Sequence, residues 1–291
     1  MAVRSMFPPA GLWLRGTTHV HTTESDGKLS PAEVVQRYAA LAYDFVFLTD
    51  HWKRTAPPEP SPQRPLVLSA IELDARVRGN GYHVVALGPL PRKWQRTFRS
   101  LNQMLRWAGS AGAVLILAHP YWTGTRSAHF VSARGLLGLE VYNGVCDAMI
   151  GKGYAGPYWD DVLDGGQRVF GIATDDFHRT CWGMGRGWIM VKTRACTQSA
   201  ILRALRAGHF YSTQGPEIRH LAMHGRRVQV TCSPVRRINF IANRWRGHVV
   251  EADGDTLTGA EWTADADCTY VRVECEDAAG KTAWSNPVYL P

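Results

Sequence analysis

The chain has 291 residues, 45% of them hydrophobic, and a formal net charge of +8 at pH 7. That is enough apolar content for a soluble globular protein of one large domain or two. No apolar stretch approaches the roughly 20 residues that span a bilayer, and Met1 to Pro9 lacks the apolar core and cleavage site of a signal peptide, so a cytoplasmic protein is expected.

Up to about residue 215, short apolar runs alternate with amphipathic segments. The first run predicts a strand over Leu12–Val20, continuing into Thr18-His19-Val20-His21-Thr22-Thr23-Glu24-Ser25-Asp26-Gly27. Strand side chains alternate faces, so His19 and His21 point the same way and can grip one metal ion, with the Asp26 carboxylate just beyond. Ser30-Pro31-Ala32-Glu33 then reads as a helix start, with a capping serine, proline at the first position and glutamate at the third. Val34, Val35, Tyr38, Leu41 and Ala42 give that helix an apolar stripe to about Tyr43. Further strands are predicted over Phe45–Thr49, Leu66–Leu73, His83–Leu87, Val114–His119, Gly138–Asn143, Val169–Thr174 and Trp188–Val191. Helices are predicted over Trp94–Ala108 and Gln198–Ala207, the second opened by Thr197 and stopped by Gly208. The proline-rich Arg54–Pro65 is an excursion beside the end of the second strand. Strands alternating with helices indicate a parallel sheet, and this many repeats suggest an α/β barrel rather than an open sheet.

Gln214-Gly215-Pro216 breaks the pattern, and the helical period disappears beyond it. Arg227–Cys232, Arg237–Ala242, Val249–Glu251 and Tyr270–Cys275 read as short strands between turn signals such as Ala252-Asp253-Gly254-Asp255. The division expected is a barrel over 1–215 and a small antiparallel β-sandwich over 216–291. The six cysteines form no C-x-x-C pair, which suits reduced thiols. Cys268 and Cys275, an odd number apart on one predicted strand, should face opposite sides.

In a barrel of parallel strands the active site lies at the carboxyl ends of the strands. His19, His21 and Asp26 fall there, as do His51, Glu72, His119, Asp176 and His178. His83, at the start of its strand, is the exception. Six histidines, two aspartates and a glutamate suit Zn, Mn or Fe better than Mg or Ca. Nine donors exceed the three or four that one catalytic zinc takes, so two or three divalent ions fit better. Singly, His83 reads as a core histidine and His119, before Pro120, as a turn residue. Glu72 and Asp176 are harder to dismiss, because carboxylates ending apolar runs are costly to bury unpaired. Jointly the set points to metal-dependent hydrolysis.

The ordered elements H-x-H-x4-D-G (His19 to Gly27), Thr49-Asp50-His51, Glu72, His83, Ala118-His119-Pro120 and Asp176-Phe177-His178 resemble the PHP (polymerase and histidinol phosphatase) superfamily. The resemblance runs from about Leu12 to Gly215 and implies a distorted (β/α)7 TIM-like barrel with a di- or trinuclear metal centre. It implies that His19, His21, Glu72 and Asp176 hold one metal, that Glu72 bridges to a second bound by His83 and His119, and that Asp26, His51 and His178 hold a third. Ala173-Thr174-Asp175-Asp176-Phe177-His178, Arg186-Gly187-Trp188, Ala204 to Tyr211 and Ala283-Trp284-Ser285-Asn286-Pro287 look like the carbaryl-hydrolase-like branch, which also carries a C-terminal β module.

The chemistry expected is attack on phosphorus or a carbonyl carbon by a hydroxide shared between two ions, since metals lower the pKa of water. A phosphoesterase on a small organic phosphate or nucleotide leads, ahead of an ester or carbamate hydrolase on the same centre. Arg179 and Lys53, beside His178 and His51, are candidate phosphate contacts. Asp175 is a candidate to orient a ligand histidine, and Asp50 to do likewise or to cap a loop. Trp52, Trp122 and Trp182 flank ligand positions, where packing is the default role and a flat wall for an aromatic group the alternative. His129 could approach the site from a loop. The basic balance suits an anionic substrate or nucleic acid. Arg226-Arg227, Arg236-Arg237 and Arg244-Trp245-Arg246 keep a nuclease or nucleic-acid-binding module in view, though no such motif surrounds them.

Overall fold

The computed structural model describes residues 3–58 and 65–291, so part of the proline-rich stretch after Arg54 lies outside the described residues. In chain order the elements are β1 (Arg4–Ser5), β2 (Leu12–Thr17), α1 (Pro31–Ala40), β3 (Phe45–Leu48), β4 (Leu66–Val77), β5 (Asn80–Leu87), α2 (Leu101–Gly109), β6 (Val114–Leu117), β7 (Gly138–Asn143), α3 (Gly144–Ile150), α4 (Gly156–Asp164), β8 (Phe170–Thr174), β9 (Trp188–Thr193), α5 (Gln198–Arg206) and β10 (Phe210–Thr213). The remainder is strand: β11 (Ile218–His224), β12 (Arg227–Val235), β13 (Arg237–Ala242), β14 (Gly247–Glu251), β15 (Leu257–Thr263), β16 (Tyr270–Glu276), β17 (Thr282–Ser285) and β18 (Val288–Tyr289). No helix among the described residues is long and apolar enough to cross a membrane.

Local chemistry explains where the helices begin. At α1 the Ser30 hydroxyl accepts from the Glu33 amide at 3.4 Å, and the Glu33 carboxylate accepts from the Ser30 amide at 2.8 Å, a reciprocal cap. Val34 and Tyr38 are its buried face. The helix expected from Trp94 begins only at Leu101, because Ser100 caps it by accepting from the Gln103 amide at 3.1 Å. Upstream, Trp94 and Phe98 join Trp52 and Trp107 in an aromatic cluster. The short α3 and α4, absent from the sequence reading, fill the connection from β7 to β8.

The main sheet runs β14-β13-β16-β17-β10-β9-β2-β3-β4-β5-β6-β7-β8. Its pairing is mixed: β2–β3, β3–β4, β6–β7 and β7–β8 are parallel, whereas β4–β5, β5–β6 and β2–β9 are antiparallel. The mixed α/β character is as expected, but the sheet does not close into the distorted (β/α)7 TIM-like barrel that the resemblance implies: no ladder among the described residues joins β8 to β2 or β9. Part of the reason is local. Arg78 and Gly79, at φ 51° and 82°, make the two-residue turn between Val77 and Asn80. That backbone suits a hairpin and leaves no room for a crossover helix, so β5 must return antiparallel. The tips beyond β2 and β8 still meet, through His21 N to Phe177 O at 2.8 Å and Asp176 N to His19 O at 3.1 Å.

A second sheet, β1-β11-β12-β15, packs on the β13–β16–β17 part of the first. Phe7, Leu221, Val230, Phe240, Val271 and Val273 belong to the apolar core there. Cys268 precedes β16 rather than lying on it, so the expected opposite-face relation to Cys275 does not arise, and both are buried. Hydrogen bonding continues across Gly215-Pro216, because β10 pairs with β17 and β9 with β10. Arg272 of β16 reinforces this junction. It is 1% exposed, grips Asp160 of α4 at 2.7 and 2.8 Å and Glu274 at 2.5 Å, and lies over the Trp159 ring.

Candidate metal centre

His19, His21, Asp26, His51, Glu72, His83, His119, Asp176 and His178 come together in one cluster, in overlapping groups whose donor atoms lie within 4.8 Å of one another. Glu72 stands at its middle. Its Oε2 lies 3.2 Å from His19 Nε2, 3.0 Å from His21 Nε2 and 3.3 Å from His51 Nε2. Its Oε1 lies 2.8 Å from His83 Nδ1 and 3.2 Å from His119 Nε2. Asp176 Oδ1 approaches His19 and His21 at 3.2 and 3.3 Å, and Asp26 Oδ2 meets His178 Nε2 at 3.3 Å.

The hairpin resolves the anomaly of His83. Because β5 runs antiparallel to β4, the start of β5 lies beside the later half of β4, with Asp74 opposite His83 and Glu72 opposite Val85. Glu72 and His83 are therefore diagonal neighbours on one face. Glu72 also lies within β4 rather than at its end, since the strand continues to Val77. His119 and Asp176, each just beyond a strand, hold backbone φ of 26° and 53°. Non-glycine residues rarely adopt such angles, and strain of this kind gathers at functional sites.

The donor chemistry fits cations. Glu140 Oε1 accepts from His19 Nδ1 at 2.6 Å. With its proton there, His19 turns its Nε2 lone pair toward His21 Nε2 at 3.0 Å and toward the Glu72 and Asp176 carboxylates. Acceptors converging in this way repel one another unless a cation stands between them. Among the described residues, Asp176 Oδ1 and His119 Nδ1 are buried with no hydrogen-bond partner. Burial favours neutral His19, but the Asp176, Glu140 and Glu72 charges raise its pKa well above the usual value. Burial likewise opposes ionised Glu72 and Asp176, yet the histidines around them, His19 foremost, hold both well below the carboxylate range.

Residues outside the nine orient the cluster. Besides His19, the Glu140 carboxylate accepts from the His119 amide and from Asn143 Nδ2, both at 2.8 Å. Asn143 also donates to Asp176 Oδ2 at 3.1 Å. Asp74 accepts from His51 Nδ1 at 3.0 Å. Such partners set imidazole tautomer and orientation. Sequence reasoning passed over all three, although two of them left a trace. Glu140 is a carboxylate inside the apolar run Gly138-Leu139-Glu140-Val141-Tyr142, and Asp74 lies two residues, hence one face, from Glu72.

Asp175 does not orient a ligand histidine. It accepts from Tyr38 Oη at 2.9 Å and from the amides of Gly185, Arg186 and Gly187, tying down the loop before β9. Asp50 caps the turn after His21, accepting from the Thr22 amide at 2.8 Å and from Ser25 Oγ at 2.6 Å. Lys53 pairs with Glu24 and is not among the residues that line the pocket over the cluster. Arg179 is, and so is Lys28, which the sequence reading did not single out. The Arg179 guanidinium lies 4.4 Å from the Trp182 ring centroid, and its Nε is buried without a hydrogen-bond partner among the described residues. The pocket has a volume of about 290 Å³, and Trp122, Trp182, Val145 and Met149 form its apolar wall. Trp52 belongs instead to the aromatic cluster with Phe98 and Trp107. His129 lines a separate depression with Arg78 and Tyr82.

No family model and no curated protein sequence matches the chain. Among solved structures it is similar to a two-domain protein from Bacteroides vulgatus containing a predicted PHP-like metal-dependent phosphoesterase. The TM-score is 0.55 at 16% identity, covering 100% of this chain and 98% of that one. An amidohydrolase from Chromobacterium violaceum, with bound sulfate and no metal, gives a TM-score of 0.45 at 16% identity over 67% of this chain and 96% of its own. At such identities the first likeness is one of fold, spanning both the mixed sheet and the β module.

Proposed function

We propose that the protein is a metal-dependent hydrolase of the PHP type, acting as a phosphoesterase on small organic phosphates or nucleotides. One observation carries the reading. A single buried carboxylate, Glu72, presents one oxygen to three imidazoles and the other to two, within 2.8 to 3.3 Å. That is the arrangement a ligand shared between two cations requires. His19, His21, Glu72 and Asp176 would hold one ion, Glu72, His83 and His119 a second, and Asp26, His51 and His178 a third, with Mn, Zn or Fe suited to the mixed nitrogen and oxygen donors. Bound ions would supply Lewis acidity and lower the pKa of water. Glu140, Asn143 and Asp74 hold the ligands in place. Arg179, at the pocket wall beside His178, is suited to a phosphoryl oxygen. The fold likeness to the Bacteroides vulgatus protein, whose name includes a predicted metal-dependent phosphoesterase, supports the same reading.

The test is phosphate release by manganese-reconstituted protein from phosphomonoesters, nucleoside bisphosphates and short oligonucleotides. Release that stops on chelation is expected. Silence with metals bound would instead favour carbonyl esters or carbamates, a second reading that the apolar wall of the pocket keeps alive. The basic clusters lend little to a nucleic-acid role. Arg226 donates to the backbone carbonyls of Asp265, Cys268 and Pro291, while Arg236 pairs with Glu276, Arg237 with Glu251 and Arg246 with Asp267.

A further inference from the structure

The pocket over the cluster is polarised along its length. At one end His178 is followed by Arg179, whose guanidinium stacks on Trp182, and the Lys28 amide is bound to His178 O at 2.8 Å. Both cations that line the pocket thus belong to the His178 end. At the other end stands Trp122, its ring plane at 77° to that of His83 and 80° to that of His119, with centroids 5.9 and 5.0 Å away. It lies in the turn after Pro120, where Thr123 N bonds His119 O at 3.2 Å and Thr123 Oγ1 bonds Pro120 O at 3.0 Å, so its backbone is anchored to the ligand His119 itself. Trp122 is nevertheless 38% exposed, and Met149, which also lines the pocket, is 43% exposed. Large apolar side chains left open at a pocket mouth are costly to hydrate and mark a contact surface.

Resting on the hydrolase reading above, we propose that Trp122 binds a flat aromatic group of the substrate, while Arg179 holds its anionic end. A substrate of this class is an ester whose anionic centre lies over Glu72 and whose ring, an aryl group or a nucleobase, lies against the indole. Trp122 sets specificity and does not touch the bond that breaks. An alkyl chain or a sugar would also cover part of the indole, but a planar ring lies flat on it and adds stacking.

The test compares Trp122→Ala, Trp122→Leu and Trp122→Phe with the parent protein. The first readout is the ratio of kcat/KM for phenyl phosphate, and for a nucleoside monophosphate, to kcat/KM for methyl phosphate. The second is the Kd of benzylphosphonate and of an adenosine phosphonate for zinc-loaded protein, by calorimetry. The ratio is expected to fall, and the Kd to rise, by about tenfold or more in the Ala and Leu variants, with Phe close to the parent. Whichever phosphonate suffers the greater loss identifies the aryl or the nucleobase source. Unchanged ratios and Kd values in Trp122→Ala would overturn the proposal, as would a Leu variant as good as Phe, since apolar volume alone would then suffice. If the parent releases phosphate from no ester, the phosphoesterase reading falls. Phosphonate binding then decides Trp122 by itself: loss in Trp122→Ala upholds the aromatic site and persistence overturns it.

Discussion

Two regions bury charge, and they do so in opposite ways. At the junction of α4 and β16, Arg272 is matched by Asp160, which it meets with two nitrogens, and by Glu274. Tyr154 completes the group by donating to Glu274 Oε1 at 3.1 Å. Every charge there has a partner of opposite sign. In the candidate metal centre, Asp176 Oδ1 has no hydrogen-bond partner among the described residues, and two imidazole nitrogens face each other at 3.0 Å. A buried network that is satisfied by its own side chains holds parts of the molecule together. One in which carboxylates and imidazoles crowd together without pairing one to one suits the cations proposed above.

The strongest way to break this contrast is Glu72→Ala. It removes the carboxylate between the two groups of imidazoles and should lower turnover by about a thousandfold or more, with loss of bound metal measured by elemental analysis. Full metal content with retained turnover would place the chemistry elsewhere. At the other region, Arg272→Ala should cost about 3 kcal/mol in denaturant unfolding, because the buried Glu274 and the partly exposed Asp160 are left without their cation. Turnover per folded molecule should stay near that of the parent. An effect on metal content as large as that on stability would erase the distinction. Glu140→Gln keeps the shape of the side chain but weakens its hold on His19, and should reduce metal affinity about 10–100-fold in a competition titration. A neutral result there would make Glu140 a packing residue.

The smallest expected effect is on pH dependence. Burial alone would lower the His51 pKa, but its bond to Asp74 and the Glu72 and Asp26 charges raise it to about 9. In chelated protein this imidazolium contributes stability that is fully present below its unfolded value of about 6.5 and is lost as pH rises through about 9. Bound metal requires the neutral ring, so the loaded protein should be stabilised over the same rise. Melting temperatures of chelated and loaded protein across that range check the sign. Parallel trends would mean that His51 does not meet metal.

Much of the centre was legible because its donors sit next to strong local signals. His19-Val20-His21 follows a strand with its period of two, and Asp176 and His178 follow another. The start of α1 was legible for the same reason, since Ser30, Pro31 and Glu33 are a cap written within four residues. Glu140 and Asp74 were harder to see, because a carboxylate inside a strand declares its role only through the residue opposite it. The barrel expectation failed where periodicity is blind to direction. An apolar run has the same period whichever way it runs, and the Arg78-Gly79 turn reversed β5.

The sequence by itself determined the donor types, their spacing along each strand and the caps and turns, all interactions that close within a few residues. Strand direction, the open ladder and the pairing of Arg272 with Asp160, 112 residues away, were decided only by the tertiary structure. So was the separation of Trp122 from Trp52, which in the sequence lie close to the candidate ligands His119 and His51. Long-range partners are chosen by which buried surfaces fit and which charges must be matched together, and neither condition exists until the chain is folded.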